Sequence, residues 1–100
     1  MRKFPSQSQL ILPLLEAIDE AGGAAPPAEI YDAVAEKVGL ESGLRNLRVD
    51  AGPAKSINAF ERHVRFARQK AAFRGLVENS RERRKRNLWE LTQKVDLLST

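Results

Sequence analysis

One stretch of sequence decides the expected fold, Ser56 to Arg74, which reads SINAFERHVRFARQKAAFR. On a helix of 100° per residue, five apolar side chains fall within roughly 120° of one another: Ile57, Phe60, Val64, Ala67 and Ala71. Almost opposite, within roughly 60° by the same arithmetic, lie four amide or guanidinium side chains: Asn58, Arg62, Arg65 and Gln69. The stretch therefore predicts an amphipathic third helix with one core face and one hydrogen-bonding face.

Positive charge is concentrated in the second half of the chain. From Lys55 to Arg86 there are eleven Lys/Arg and three Glu, a local net of +8, whereas the remaining residues carry six basic and ten acidic side chains, a net of −4. A protein that binds a polyanion gains from this separation, which a uniformly solubilising surface does not need. The pattern indicates nucleic acid as the partner.

Length and composition exclude several classes of protein. With 100 residues, 42% of them apolar, the chain supports one domain with one modest core. It has no cysteine and only one histidine, His63, which excludes disulfides and leaves too few ligands for a structural zinc site. No run approaches the roughly 18 apolar residues of a membrane span, and acidic residues from Glu16 onward argue against a signal peptide. We expect no cofactor, no metal, no membrane association and a cytoplasmic location.

The first predicted helix is marked by apolar residues at helical spacing and is stopped by Gly22-Gly23. Pro13 complicates its start, because proline past the first turn lacks a donor and clashes with the preceding turn. A start near Leu10 is favoured over an earlier, bent helix. The stripe consists of Leu10, Ile11, Leu14, Leu15 and Ile18.

A second helix is predicted from about Ala28 to Val38. Ala24-Ala25 before it is long enough for a two-residue strand at most, and Pro26-Pro27 suits the entry to a helix. Gly39 is a natural left-handed stop. The following connection, Leu40 to Lys55, is longer than helix-to-helix loops usually are; one helical turn within it is suggested by Leu44, Leu47 and Val49.

The end of the chain predicts a β-hairpin. Gly75 ends the third helix, Leu76-Val77 is a plausible strand, Glu78 to Asn87 is a polar tip, and Leu88 to Thr92 alternates with Trp89 and Leu91 on one side. The fold class is therefore α+β and mostly α, a winged helix-turn-helix of three helices plus a C-terminal β-hairpin wing.

Candidate DNA-binding residues lie on the third helix and at the tip of the hairpin. On the helix, Asn58 has an alternative role, since Asn58 and Glu61 have the spacing of a capping box, and Ser56 competes as the cap. Like charges at the tip repel one another, so the alternative there is a solubilising loop, but phosphate or minor-groove contact is favoured. The candidates are Asn58, Arg62, Arg65, Arg68, Gln69, Arg81, Arg83, Arg84, Lys85 and Arg86.

Aromatic residues have two interpretations. Phe66 and Phe73 lie on the flank of the third helix, between its core face and its polar face, and packing beside the core is favoured for both. The alternative is an aromatic surface that contacts a flipped or methylated base, with Phe66 as the candidate contact. His63 is expected at the edge of the core, and Tyr31 and Trp89 within it.

No catalytic constellation is present in the sequence. A metal-dependent nuclease of the usual restriction type needs an acidic residue followed by Glu-x-Lys on a strand. Glu36-Lys37 lacks the spacer and lies on a predicted helix, and Glu90 to Lys94 is too widely spaced. We therefore expect binding and no enzymatic activity in these residues.

Three motifs resemble the N-terminal winged-helix domain of Mrr-like restriction proteins: Phe66-Ala67, Arg74-Gly75-Leu76 and Leu88-Trp89-Glu90-Leu91-Thr92. The resemblance covers about Phe4 to Lys94. The chain departs from the family pattern at Arg74, where Ala is common, at Asn87, where Gly often precedes the strand pair, and at Val95, where Gly is usual.

The resemblance implies a double-stranded DNA-binding arm of a modification-dependent restriction system, with methylated DNA among its candidate partners. It also implies a nuclease domain in the same polypeptide, beyond Thr100. We expect the binding domain to span 1–94 and a linker or tail to begin at 95–100. Two alternatives remain: a transcriptional regulator, which would need to dimerise over paired half-sites, and a winged helix that binds protein.

Overall fold

Helices form most of the regular structure. The computed structural model describes residues 5–53, 55–78 and 88–92, and these form an α+β fold with four helices and four short strands, as the sequence indicated in outline. No described helix combines the length and apolar character that a membrane span requires. In chain order the elements are α1 (Gln7–Glu20), β1 (Ala24–Ala25), α2 (Pro27–Lys37), α3 (Ser42–Arg45), β2 (Arg48–Gly52), β3 (Lys55–Asn58), α4 (Ala59–Phe73) and β4 (Trp89–Glu90).

The first helix begins at Gln7, so the predicted start near Leu10 is wrong. Ser6 and Gln9 form a reciprocal capping box: the Gln9 amide donates to Ser6 Oγ at 3.1 Å, and the Ser6 amide donates to Gln9 Oε1 at 2.8 Å. These bonds satisfy donors that have no partner within the helix, and Pro13 is accommodated inside α1.

The second helix and its flanks follow the prediction closely. Helix α2 runs from Pro27 to Lys37, one residue from each expected end, and Pro27 occupies the first turn, where a missing donor costs little. Gly39 has φ +63°, the left-handed conformation that favours glycine after a helix. Ile30 and Val34, one helical turn apart, are both buried.

The connection between α2 and the long fourth helix contains a β-hairpin that the sequence did not predict. Leu44 lies in the one-turn helix α3, but Val49 belongs to β2 and pairs with Ile57 of β3. The register shifts between Asp50 and Gly52, and Gly52 has φ +132°.

This hairpin moves the start of the predicted third helix. That helix is α4 and begins at Ala59, three residues later than predicted, because Ser56, Ile57 and Asn58 belong to β3. The helix ends at Phe73, and Gly75, the predicted stop, follows with φ +78°.

The core lies where α1 packs against both α4 and α2. Four of the five predicted core residues of α4 are buried: Phe60, Val64, Ala67 and Ala71. The fifth, Ile57, is half-buried on β3 instead. Burial of apolar surface along this one face fixes which sides of α4 remain for function.

A small antiparallel sheet joins both ends of the fold. Ala25 of β1 pairs with Trp89 of β4, and Val77 forms a single bridge to Leu91, so the chain on either side of 79–87 is paired within the described residues. Thr92 Oγ1 donates to the Gly75 carbonyl at 2.6 Å. This bond connects the residues just after β4 to the end of α4.

Candidate nucleic-acid interface

Asn58 fixes the start of α4. Its Oδ1 accepts a hydrogen bond from the Glu61 amide at 2.9 Å, and its Nδ2 donates to the Arg45 carbonyl at 2.7 Å. The capping alternative for Asn58 is thus confirmed, and Ser56 as the cap is wrong because it lies in β3. Both polar ends of the Asn58 side chain are engaged in positioning the helix.

Arg45 links three helices at the same end of α4. Its guanidinium donates from Nη1 to Glu61 Oε2 at 3.0 Å and from Nη2 to Asp32 Oδ1 at 2.9 Å, and its Cζ lies 5.7 Å from the centre of the Phe60 ring. Partial burial acts to lower the pKa of Arg45, but the hydrogen bonds to both carboxylates outweigh it and raise that pKa above its ordinary value. Arg45 therefore stays charged and ties α3 and α2 to the first turn of α4.

The outward side of α4 carries Arg62 and Gln69, both exposed. They lie within roughly 20° of each other on the helix. The Cζ atom of Arg62 lies 5.3 Å from the centre of the Phe66 ring, a cation–π contact that pre-orients the guanidinium. This side can donate several hydrogen bonds to a ligand without rearrangement of the core.

Arg65 and Arg68 lie roughly 60° and 120° around α4 from Arg62, toward its flank, and are half-buried. Arg65 Nη1 is 3.5 Å from the Tyr31 hydroxyl, a long hydrogen bond, and Arg68 Cζ is 5.8 Å from the centre of the Trp89 ring. Tyr31 and Trp89 are both buried, as predicted, and meet edge to face with ring centres 5.3 Å apart. The structure thus separates these two arginines from Arg62 and places them beside α2 and β4.

The predicted tip cations lie outside the described residues: Arg81, Arg83, Arg84, Lys85 and Arg86. Their part in binding stays a prediction. The described structure adds only that β4 and the Val77 bridge are antiparallel at the base of that segment.

The aromatic predictions for α4 are confirmed only in part. His63 and Phe66 are half-buried, but Phe73 is 94% exposed, so packing of Phe73 beside the core is wrong. Phe73 lies roughly 160° from the centre of the core face at 100° per residue, near the end of the helix.

The β2–β3 hairpin carries two further cations that were not among the predicted site residues: Arg48, which pairs with Asn58 at the start of α4, and Lys55, which lies beside the turn. Arg48 Nε donates to Ser56 Oγ at 3.0 Å and its Nη2 to the Ser56 carbonyl at 2.7 Å, and Lys55 is exposed. Gly52-Pro53 was the one signal that could have predicted this turn.

The chemistry available here is hydrogen-bond donation and positive charge. Among the described residues, no three His, Asp or Glu side chains are grouped so that they could hold a metal ion. Donors with fixed orientation on a helix suit recognition of phosphates and base edges.

One comparison with known proteins gives a match. The family model described as the Mrr N-terminal domain matches residues 8–96, nearly the whole chain. No curated protein and no solved structure matches significantly.

Proposed function

The chain belongs to the Mrr N-terminal domain family, which confirms the resemblance of its motifs, and on that basis we propose that it is the double-stranded DNA-binding module of a modification-dependent restriction system. The family is that of an N-terminal domain that is not itself catalytic. The nuclease is proposed to lie elsewhere in the same polypeptide.

The topology supports a winged-helix interpretation. Helices α1, α2 and α4 pack around one core, β1 pairs with β4, and Val77 bridges to Leu91 beside them. In a winged helix the last of the three main helices enters the major groove and the hairpin contacts the flanking backbone. We assign these roles to α4 and to the segment between Val77 and β4, with α3 and the β2–β3 hairpin as an insertion between α2 and α4.

The observation that carries the proposal is the distribution of donors around α4. Arg62 and Gln69 are exposed on its outward side, where they can read base edges. Arg65 contacts Tyr31 and Arg68 contacts Trp89. These contacts orient both guanidinium groups toward the β1–β4 sheet, where they are proposed to bind phosphates. Asn58 contributes by fixing the start of the helix.

Base modification is proposed to be sensed at Phe66. Its ring is half-buried and stacked against Arg62, so it is held in place beside the reading side of α4. A methyl group on a base gains from contact with such an apolar surface. The hairpin-tip cations are proposed to contact phosphate or the minor groove.

The test compares binding to one duplex in three forms: unmodified, adenine-methylated and cytosine-modified, at fixed salt. We expect measurable retention of the duplex at low salt and a difference between the three forms. Arg62→Ala should weaken binding by about 1–3 kcal/mol and change the sequence preference, because it removes a base-edge donor.

A matched control is Lys37→Ala, since Lys37 of α2 is already paired with Glu20 of α1 at 2.6 Å. This variant should bind as the unaltered chain does. Negligible retention of duplex DNA at low salt would refute the proposal and favour a winged helix that binds protein.

A further inference from the structure

Phe73 is the most solvent-exposed large apolar side chain of the described residues. It is 94% exposed, compared with 56% for Leu12 and 42% for Leu47. A single exposed apolar residue needs no explanation. Phe73 is not isolated, however, because it lines a surface groove together with Phe66.

This groove, here the α4 groove, has a volume of about 540 Å³ and is lined by Gln7, Phe66, Gln69, Lys70, Phe73 and Arg74. A second groove of about 400 Å³ adjoins it through Gln7 and Phe66 and contains Arg62, His63 and Asp50. The two together form a continuous aromatic and basic surface along the side of α4.

The charge of the α4 groove distinguishes between possible occupants. Its charged lining residues are Lys70 and Arg74, and Arg62 stands over Phe66 next to it; Asp50 is the one acidic side chain of the adjoining groove. A second copy of the chain would bring the same cations against them. An anionic ligand with aromatic faces complements both the charge and the rings.

The spacing of the two phenylalanines suits such a ligand. Phe73 follows Phe66 by seven positions, so their Cα atoms are offset by roughly 20° around the helix and about 10.5 Å along it. Aromatic platforms alternating with cations are the arrangement by which proteins hold unstacked bases and the phosphates that connect them.

We propose that the α4 groove binds unpaired nucleotides of DNA, with Phe73 and Phe66 stacking on bases and with Lys70 and Arg74 contacting the backbone. This inference rests on the proposed DNA-binding role of α4 and adds the strand state of the ligand. A fully paired duplex keeps its bases stacked on one another and offers no base face to Phe73. The module therefore prefers locally opened DNA.

The experiment measures fluorescence anisotropy of the full chain with three labelled oligonucleotides of one sequence: a perfect duplex, the same duplex with a three-nucleotide bulge, and the single strand. We expect the bulged duplex to bind more tightly than the perfect one. Phe73→Ala should weaken bulge binding about tenfold, as loss of one stacking platform does, and should leave perfect-duplex binding unchanged within about twofold.

Three controls keep the result interpretable. Phe73→Trp preserves a stacking surface and should retain bulge binding. Leu12→Ala removes an exposed apolar side chain from α1 and should change nothing. Phe73 is exposed, so its replacement leaves no cavity, and an unchanged thermal unfolding curve verifies this.

Two results would overturn the inference. One is equal binding of bulged and perfect duplexes by the unaltered chain, which would overturn the preference for opened DNA but leave the proposed duplex binding intact. If the unaltered chain bound none of the three oligonucleotides, the proposed function itself would be refuted. The other is a concentration-dependent dimer in sedimentation equilibrium that Phe73→Ala dissociates, which would identify a second copy as the occupant.

Discussion

Replacement of Arg45 by methionine should destabilise the fold at the point where α2, α3 and α4 meet. Methionine retains an unbranched apolar stem but removes the guanidinium that bonds to Glu61 at 3.0 Å and to Asp32 at 2.9 Å. The Arg45 side chain is 21% exposed, that of Glu61 29% and that of Asp32 78%. The two ion pairs therefore contribute different amounts to the free energy of unfolding.

The magnitude follows from these exposures. A partly buried hydrogen bond between charged groups contributes about 1.5 kcal/mol, whereas a pair with an exposed carboxylate contributes about 0.5 kcal/mol. The contact of the guanidinium with the Phe60 ring adds about 0.5 kcal/mol. We expect Arg45→Met to lower the free energy of unfolding by about 2–3 kcal/mol.

Urea unfolding followed by circular dichroism measures this change, with an unchanged slope against urea concentration as the check that unfolding remains two-state. Asp32→Asn is the matched control and should cost about 0.5 kcal/mol or less, because Asp32 is exposed. An Arg45→Met variant within about 0.5 kcal/mol of the unaltered chain would show that Arg45 does not hold the three helices together.

Two smaller changes test other parts of the fold by the same urea measurement. Ser6→Ala removes the capping acceptor of α1 and should cost about 1 kcal/mol; no loss would mean that α1 begins later than Gln7. Thr92→Val removes the donor to the Gly75 carbonyl and should cost about 1 kcal/mol or more, since that acceptor is then left unpaired. Stability unchanged in Thr92→Val would show that this bond does not tie β4 to the end of α4.

The helical parts of the fold were predictable because their signals are local and repeated. The α4 stripe recurs over about three turns, and α2 is bounded by Pro27 and Gly39, each suited to its end of a helix. The start of α1 was also encoded, since Ser6 and Gln9 have capping-box spacing. Pro13 drew the prediction toward a later start.

The β2–β3 hairpin could not be predicted in the same way. Its strands are only five and four residues long, and the polar–apolar alternation of β2 does not continue in β3. Their register, which pairs Val49 with Ile57, depends on a bulge and on the unusual conformation of Gly52, and residue propensity does not encode either.

In the candidate interface too, features set by local periodicity were predictable and contacts between separate elements were not. Periodicity separated the outward side of α4 from its core side correctly for Arg62 and Val64. It could not tell that Arg65 would contact Tyr31 and Arg68 would contact Trp89, because both aromatic residues lie in other parts of the sequence. Helical spacing places Phe73 away from the core face, so its exposure among the described residues agrees with the periodicity and contradicts the predicted packing beside the core.

Backbone NMR chemical shifts, recorded as a DNA duplex is titrated into the full chain at low salt, locate the bound surface residue by residue. Binding through α4 predicts the largest shifts at and around Arg62, Arg65 and Gln69, with the exposed face of α1 near Leu12 unaffected. Saturable binding whose shifts fall on α1 and leave α4 unchanged would contradict the assignment of α4 as the DNA-reading helix.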